Sequence, residues 1–173
     1  MSNLSIREAR PDDAPVLVAA EKETARTPGL LVSRPHELIL QAFEQKIAAL
    51  AEGGRYIVAE KEGRIAGHAL LDPMPLEAIS HVFKLTIVVH PEFTGQGIGT
   101  ALMIELLDWA KRSPKVRKIE LLVRATNERA VHLYSKLGFI EEGRFKKRIC
   151  LPDGNFIDDL AMAWFREPAY DHP

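Results

Sequence analysis

The stretch His90-Pro91-Glu92-Phe93-Thr94-Gly95-Gln96-Gly97-Ile98-Gly99-Thr100-Ala101-Leu102 decides how this chain is read. It lies between two runs of regular pattern. Ser80 to His90 is dense in Val, Ile and Leu and reads as a strand ended by Pro91. Gly97 to about Arg112 carries Ile98, Leu102, Leu106 and Trp109 on one helical stripe. Glycines at alternate positions leave a row of backbone N–H groups with no side chain over them. With the positive end of the helix dipole, those groups make an anion site, for which a phosphate or pyrophosphate is the natural guest. A plain strand-to-helix turn with permissive glycines explains the same pattern. The loop is not a P-loop, because no Lys-Ser/Thr follows the last glycine. It is not G-x-G-x-x-G either, since Gly95-Gln96-Gly97-Ile98-Gly99 has one residue fewer.

Working outward, Leu4 to Arg7 reads as a short strand and Val16 to Glu23 as a helix entered through Pro11-Asp12-Asp13. Thr27-Pro28-Gly29 is a loop. A second helix is expected from about Pro35 to Glu52, with Ile39, Phe43, Ile47 and Leu50 on one face and Gly53-Gly54 ending it. Tyr56 to Glu60 and Ile65 to Leu71 are strands joined by the turn Lys61-Glu62-Gly63-Arg64. Beyond the central loop come a strand, Lys118 to Val123, and a helix, Asn127 to Leu137. Two last strands, about Phe145 to Leu151 and Phe156 to Trp164, flank the turn Pro152-Asp153-Gly154-Asn155. The tail from Glu167 to Pro173 reads as frayed. The order is β-α-α-β-β-β-α-β-α-β-β. It predicts an α/β (α+β) protein of three layers: a mixed central sheet with helices on both faces. The strands 80–90 and 118–123, joined by a helix, should lie parallel.

The chain has 173 residues. That is the length of a single domain, with its core at about residues 4–165. With 23 basic and 24 acidic residues the net charge is −1, which argues against gripping a nucleic-acid backbone by bulk charge. No apolar run reaches the roughly 18 residues of a membrane span, and Met1 to Arg7 has no signal-peptide core. The single cysteine, Cys150, excludes an internal disulfide framework and fits a reducing, cytoplasmic setting. It reads as a strand residue, not an acyl carrier.

A second motif, Asn127-Glu128-Arg129-Ala130-Val131-His132-Leu133-Tyr134-Ser135-Lys136-Leu137-Gly138-Phe139, follows the first in order. With it the chain resembles the GNAT superfamily of acetyl-CoA-dependent N-acetyltransferases. The glycine loop is similar to that family's Arg/Gln-x-x-Gly-x-Gly/Ala signature, and the second motif to its N-x-x-A-x-x-L-Y-x-K-x-G-F segment. Ile6-Arg7-Glu8-Ala9-Arg10-Pro11-Asp12-Asp13 resembles family N-termini as well. The resemblance covers about residues 4–165. It departs from the pattern at Thr94, which stands where the family has Arg or Gln.

The resemblance implies a three-layer GNAT fold and acetyl-CoA as co-substrate, with no metal. It implies cofactor contacts from Thr94, Gly95, Gln96, Gly97, Ile98, Gly99 and Thr100, and from the strand backbone at Ile87, Val88 and Val89. A main-chain donor on that strand would also stabilise the oxyanion of the reaction. Asn127 caps its helix and touches the cofactor or an ordered water. Tyr134 lies on the apolar stripe Ala130, Leu133, Tyr134, Leu137 and by itself reads as a core tyrosine. The resemblance makes it the general acid for a departing thiolate: thiols titrate near ~8.5 and phenols near about 10.

Many family members place a Glu on the central strand as base, but residues 80–90 contain no carboxylate. His81 is the candidate base, against an ordinary strand-end histidine; His68 is a weaker candidate and His90 a structural one. Arg129 and Lys136 have two readings, a solvated face or a contact with the cofactor's 3′-phosphate. Asp158 and Asp159 should point to opposite faces, one toward a substrate ammonium. The basic run Gly143-Arg144-Phe145-Lys146-Lys147-Arg148 is either a charged edge strand or a subsite for an acidic substrate group.

The function expected is direct acetyl transfer to a primary amine of a small, amino-acid-like molecule. Protein N-termini, polyamines and a silent acyl-CoA-binding regulatory domain are the alternatives. Neither nucleic acid nor membrane is expected as a partner. A homodimer is an open possibility, with Phe156, Leu160, Met162 and Trp164 as its apolar surface.

Overall fold

The computed structural model describes residues 3–167. The tail from residue 168 on lies outside the described residues. The elements follow the expected order: β1 (Leu4–Glu8), α1 (Ala14–Ala25), α2 (Leu40–Leu50), β2 (Arg55–Lys61), β3 (Arg64–Pro73), β4 (Val82–Val89), α3 (Ile98–Arg112), β5 (Lys118–Arg124), α4 (Glu128–Lys136), β6 (Ile140–Cys150) and β7 (Phe156–Phe165). One seven-stranded sheet runs β1-β2-β3-β4-β5-β7-β6. The β4–β5 pair is parallel and every other pair is antiparallel.

Alternation along the strands sorts the core into two layers. On one face Ala69, Leu71, Phe83, Leu121, Val123, Leu160, Met162 and Trp164 pack with Leu102, Met103 and Leu106 of α3 and Tyr134 of α4. On the other, Tyr56, Val58 and Leu70 pack with Ala14 and Leu17 of α1 and Ile47 and Leu50 of α2. Helices therefore cover both faces of a mixed sheet.

Three expectations are corrected. The helix expected from Pro35 begins only at Leu40, because Leu38 and Ile39 are extended. Pro35–Glu37 forms a separate short turn, closed by the Arg34 N–H donating to the Glu37 carboxylate at 2.7 Å. The extended step buries Leu38 and leaves Ile39 outside the stripe, 60% exposed. β6 starts at Ile140, not Phe145: Gly138, at φ +92, stops α4 and Ile140 pairs at once with Ala163. Of the four residues offered as a dimer surface, Leu160, Met162 and Trp164 are buried in the chain's own core, and only Phe156 is exposed.

Candidate active site

β4 and β5 pair at only three positions, Val82↔Lys118, Phe83↔Ile119 and Lys84↔Glu120. Both strands continue. β4 stays on β3 as far as Gly67↔Val89, and β5 stays on β7 as far as Arg124↔Asp159. The sheet therefore parts along one seam, with no ladder between Leu85–Val89 and the facing part of β5. Backbone groups on the two lips have no strand partner, and buried backbone groups require one. An extended ligand carrying amides fits such a seam. Ile87 and Val89 are half-buried there and Val88 is buried.

The glycine loop stands at the open end. Gly95 and Gly97 take φ +77 and +79, the left-handed region that favours glycine. A Cβ on Gly97 would meet nothing within 4 Å, and one on Gly95 would stand 3.8 Å from the Arg129 guanidinium. α3 begins at Ile98 with no side chain capping its first turn, so its leading N–H groups are free to take a ligand. Open space, free amides and a guanidinium fit a pyrophosphate. Gly99 serves differently: its Cβ would lie 3.4 Å from Val89 and 3.8 Å from Leu133, so it sets how closely α3 approaches β4 and α4. Ile98 is buried and Thr100 exposed. Thr94 donates its hydroxyl to Pro91 O at 3.2 Å, and Gln96 donates to Glu92 O at 3.2 Å and takes a contact from Lys61. Both side chains thus close the turn preceding the helix.

α4 packs on the α3 face, with Leu133 beside Gly99 and Tyr134 in the core there. Asn127 accepts the Ala130 N–H at 3.2 Å and caps α4. Tyr134 is 8% exposed, with its ring 5.8 Å from that of Phe139. Burial pushes its hydroxyl up to about 12, with the positive charge of Arg124 pulling the other way. The phenol stays protonated across the neutral range. Arg129 is exposed, and its guanidinium stands beside Gly95 of the loop, which is compatible with the second of its two sequence readings.

His81 does not join this group. It is exposed and precedes β4, at the end where β4 and β5 are still paired. The seam opens only beyond Lys84↔Glu120, past the paired stretch that His81 adjoins. The geometry therefore does not support His81 as the base. His68 and His90 are buried and joined to each other, and Glu21 of α1 completes their chain. Asp158 and Asp159 do face opposite ways, but neither is free for an ammonium. Asp158 accepts from the Lys147 N–H and from Arg144, which hold it below the usual carboxylate range. Asp159 is fully buried against Arg124 and Arg148. On this α1 face the α1–α2 loop leans on the β6–β7 hairpin: a Cβ on Gly29 would lie 3.6 Å from Ile157 and 4.0 Å from Leu151. Among the described residues no cluster suited to a metal ion occurs.

Comparison with known proteins places this geometry. Residues 18–139 match the Acetyltransferase (GNAT) family. The chain is 33% identical over 111 residues to the L-amino acid N-acetyltransferase AaaT of Escherichia coli, covering 64% of this chain and 68% of that protein. It is 32% identical over 108 residues to the spermidine N(1)-acetyltransferase of Vibrio cholerae, covering 62% of this chain and 61% of that protein. The chain thus spans about two thirds of these relatives. In fold it is similar to yncA from Salmonella typhimurium, solved with its cofactor acetyl-CoA. The TM-score is 0.86, with 20% identity over 99% of this chain and 98% of that one. With the split sheet, the glycine loop and the tyrosine helix arranged in one site, the chain belongs to the GNAT family of acetyltransferases.

Proposed function

We propose that this acetyltransferase moves the acetyl group of acetyl-CoA directly to the primary amine of a small, amino-acid-like molecule. The observation that carries the reading is the parting of β4 from β5 after Lys84↔Glu120, with the glycine loop at its mouth. Acetyl-CoA supplies an activated thioester. The loop amides around Gly97, with Arg129, hold its phosphates, and the backbone of Ile87, Val88 and Val89 binds its extended arm. A main-chain N–H on β4 offsets the charge that develops on the carbonyl oxygen.

Tyr134 meets the leaving sulfur. A phenol near 12 gives its proton to a thiolate near ~8.5 at a cost of about 5 kcal/mol. That is well inside the roughly 16 kcal/mol barrier of a turnover of about 10 per second. The hydroxyl therefore acts first as a hydrogen-bond donor to developing negative charge and delivers its proton late. With no carboxylate on β4 and His81 remote, the amine enters as its neutral fraction and passes its surplus proton to water. The relatives named for amino acids and for spermidine support small amines as the acceptor class. A cytoplasmic place of action goes with this reading. A dimer would have to rest on surfaces other than Leu160, Met162 and Trp164.

Release of free CoA over a panel of amines at several pH values tests the proposal. The expected result is turnover on small primary amines, rising with pH as the neutral amine fraction grows. Tight acetyl-CoA binding without turnover on any amine would instead favour a silent regulatory domain.

A further inference from the structure

Asp159 has no exposed surface, and its two carboxylate oxygens are treated unequally. Oδ1 accepts from Arg124 Nε at 2.7 Å, while Oδ2 is enclosed with no hydrogen bond. On the Oδ2 side stands Arg148, whose Nε is 3.4 Å away. Arg124 lies directly across from Asp159 in the β5–β7 ladder, and Phe145 lies across from it in the β6–β7 ladder. All three are therefore on the α1 face of the sheet, beside the open end of the seam. Arg124 is committed: it is 9% exposed, and its Nη2 donates to Leu122 O at 2.9 Å.

Arg148 reaches this place only because β6 bulges. The ladder passes from Phe145↔Asp159 to Ile149↔Ile157, so three residues of β6 oppose one of β7. Within the bulge Lys147 takes φ +51, a left-handed conformation that is unfavourable for a residue with a Cβ. The Lys147 N–H donates to Asp158 Oδ1 at 2.7 Å and Arg144 donates to Asp158 Oδ2 at 3.0 Å, which fixes it. The bulge turns Arg148 inward, its guanidinium 4.8 Å from the centre of the Phe145 ring, while its side chain stays 47% exposed. Bulges re-aim side chains beside functional sites. Two guanidinium groups around one buried carboxylate leave one positive charge over. Neutralising Asp159 needs only Arg124, so Arg148 retains N–H groups for something else.

We infer that Arg148, set by Asp159 and the Lys147 bulge, binds a carboxylate of the acceptor, so that the acceptors are amines bearing a nearby anionic group, such as α-amino acids, and not polyamines. This rests on the acetyl-transfer reading and names its substrate class. A planar guanidinium over an aromatic ring suits a carboxylate in a way that a lysine does not. The surplus charge at the same place repels a polycation.

The test pairs each amino acid with its decarboxylated amine, for example phenylalanine with phenethylamine, in wild type and in Arg148→Gln and Arg148→Lys. In wild type, kcat/KM is expected to favour the acid over its amine by about 10²-fold. Arg148→Gln should raise KM for the acid by about 10- to 100-fold with kcat little changed, so the preference collapses, and Arg148→Lys should restore part of it. Arg148 is half exposed, so the variants should fold, and an unchanged melting temperature checks that they do. Wild-type turnover indifferent to the carboxylate, or an unmoved KM in Arg148→Gln, overturns the assignment. Calorimetry of the N-acetylated products in the presence of CoA reads the subsite without catalysis. Product binding that ignores the carboxylate sinks the subsite even in an active enzyme. Binding that requires both the carboxylate and Arg148 upholds it, even if failure of every amine to release CoA sinks the acetyl-transfer reading.

Discussion

Nδ1 of His68 on β3 lies 3.0 Å from Nε2 of His90 at the end of β4, and Nε2 of His68 lies 2.8 Å from the Glu21 carboxylate on α1. Both imidazoles are buried, at 0% and 5% exposure. The chain ties the last turns of α1 to the strand that enters the glycine loop. Burial, helped by the neighbouring His68, pushes His90 down from 6.5 to about 4.

A pH dependence of stability follows. The folded state holds His90 neutral where the unfolded chain would protonate it, so between pH 6.5 and about 4 the unfolded state binds the extra proton. The contribution is complete above pH 6.5 and is lost as pH falls through about 4, and it amounts to about 3 kcal/mol at most. Denaturant midpoints measured from pH 7.5 to 4.5 should fall, and His90→Gln should flatten part of that slope. Equal slopes in both proteins would remove His90 as its source.

The two glycine variants of the loop should separate binding from packing. Gly97→Val places a side chain in open space but at φ +79, so it should fold with a loss on the order of 1–2 kcal/mol. It should weaken acetyl-CoA by tenfold or more, about 1.4 kcal/mol or above. Gly99→Val drives methyls into Val89 and Leu133 and should cost about 1–3 kcal/mol of stability. Calorimetric affinity beside a melting curve distinguishes them. An unaltered affinity in folded Gly97→Val would show that the phosphates sit elsewhere.

Tyr134→Phe keeps the ring packed beside Phe139 and removes only the hydroxyl. The maximal rate should drop about 10²-fold with acetyl-CoA affinity nearly unchanged, since the interaction matters in the transition state. Because the hydroxyl is pushed up to about 12, wild-type activity should show no loss from its ionisation below about pH 11. A near-normal rate in the variant would reduce Tyr134 to a packing residue.

Arg129→Ala should leave melting unchanged, because the side chain is exposed. It should weaken acetyl-CoA several-fold, more at low than at high ionic strength, as expected for a partly screened charge contact. Affinity titrations at two salt concentrations measure it, and an unmoved Kd at low salt would return Arg129 to solvent.

The fold was legible because its signals are local. The strand-loop-helix at Ser80 to Arg112 and the helix ending Leu137-Gly138-Phe139 each announce themselves within about a dozen residues. Where the reading failed, the deciding contact was distant. The stripe Ile39, Phe43, Ile47, Leu50 continues smoothly in sequence, and only the burial of Leu38 breaks it. His81 lies just before β4, at the end where β4 and β5 are paired, and nothing local in the sequence says where β4 leaves β5. Arg124 and Asp159 are 35 residues apart and meet because β7 inserts between β5 and β6, out of chain order. The three-against-one bulge that brings Arg148 to them leaves no periodic trace in a run of basic residues.

The three register pairs that hold β4 to β5 have a last consequence, for how long the protein survives in a cell. A sheet stitched across its middle by so short a ladder opens there more readily than anywhere along its continuous halves. Whatever fills the seam adds to the folded state in proportion to its concentration over its dissociation constant. Proteases act on the opened form. Abundance should therefore follow the supply of acetyl-CoA: cells starved of it would clear the enzyme faster, and so lose the capacity to acetylate just when there is least to acetylate with.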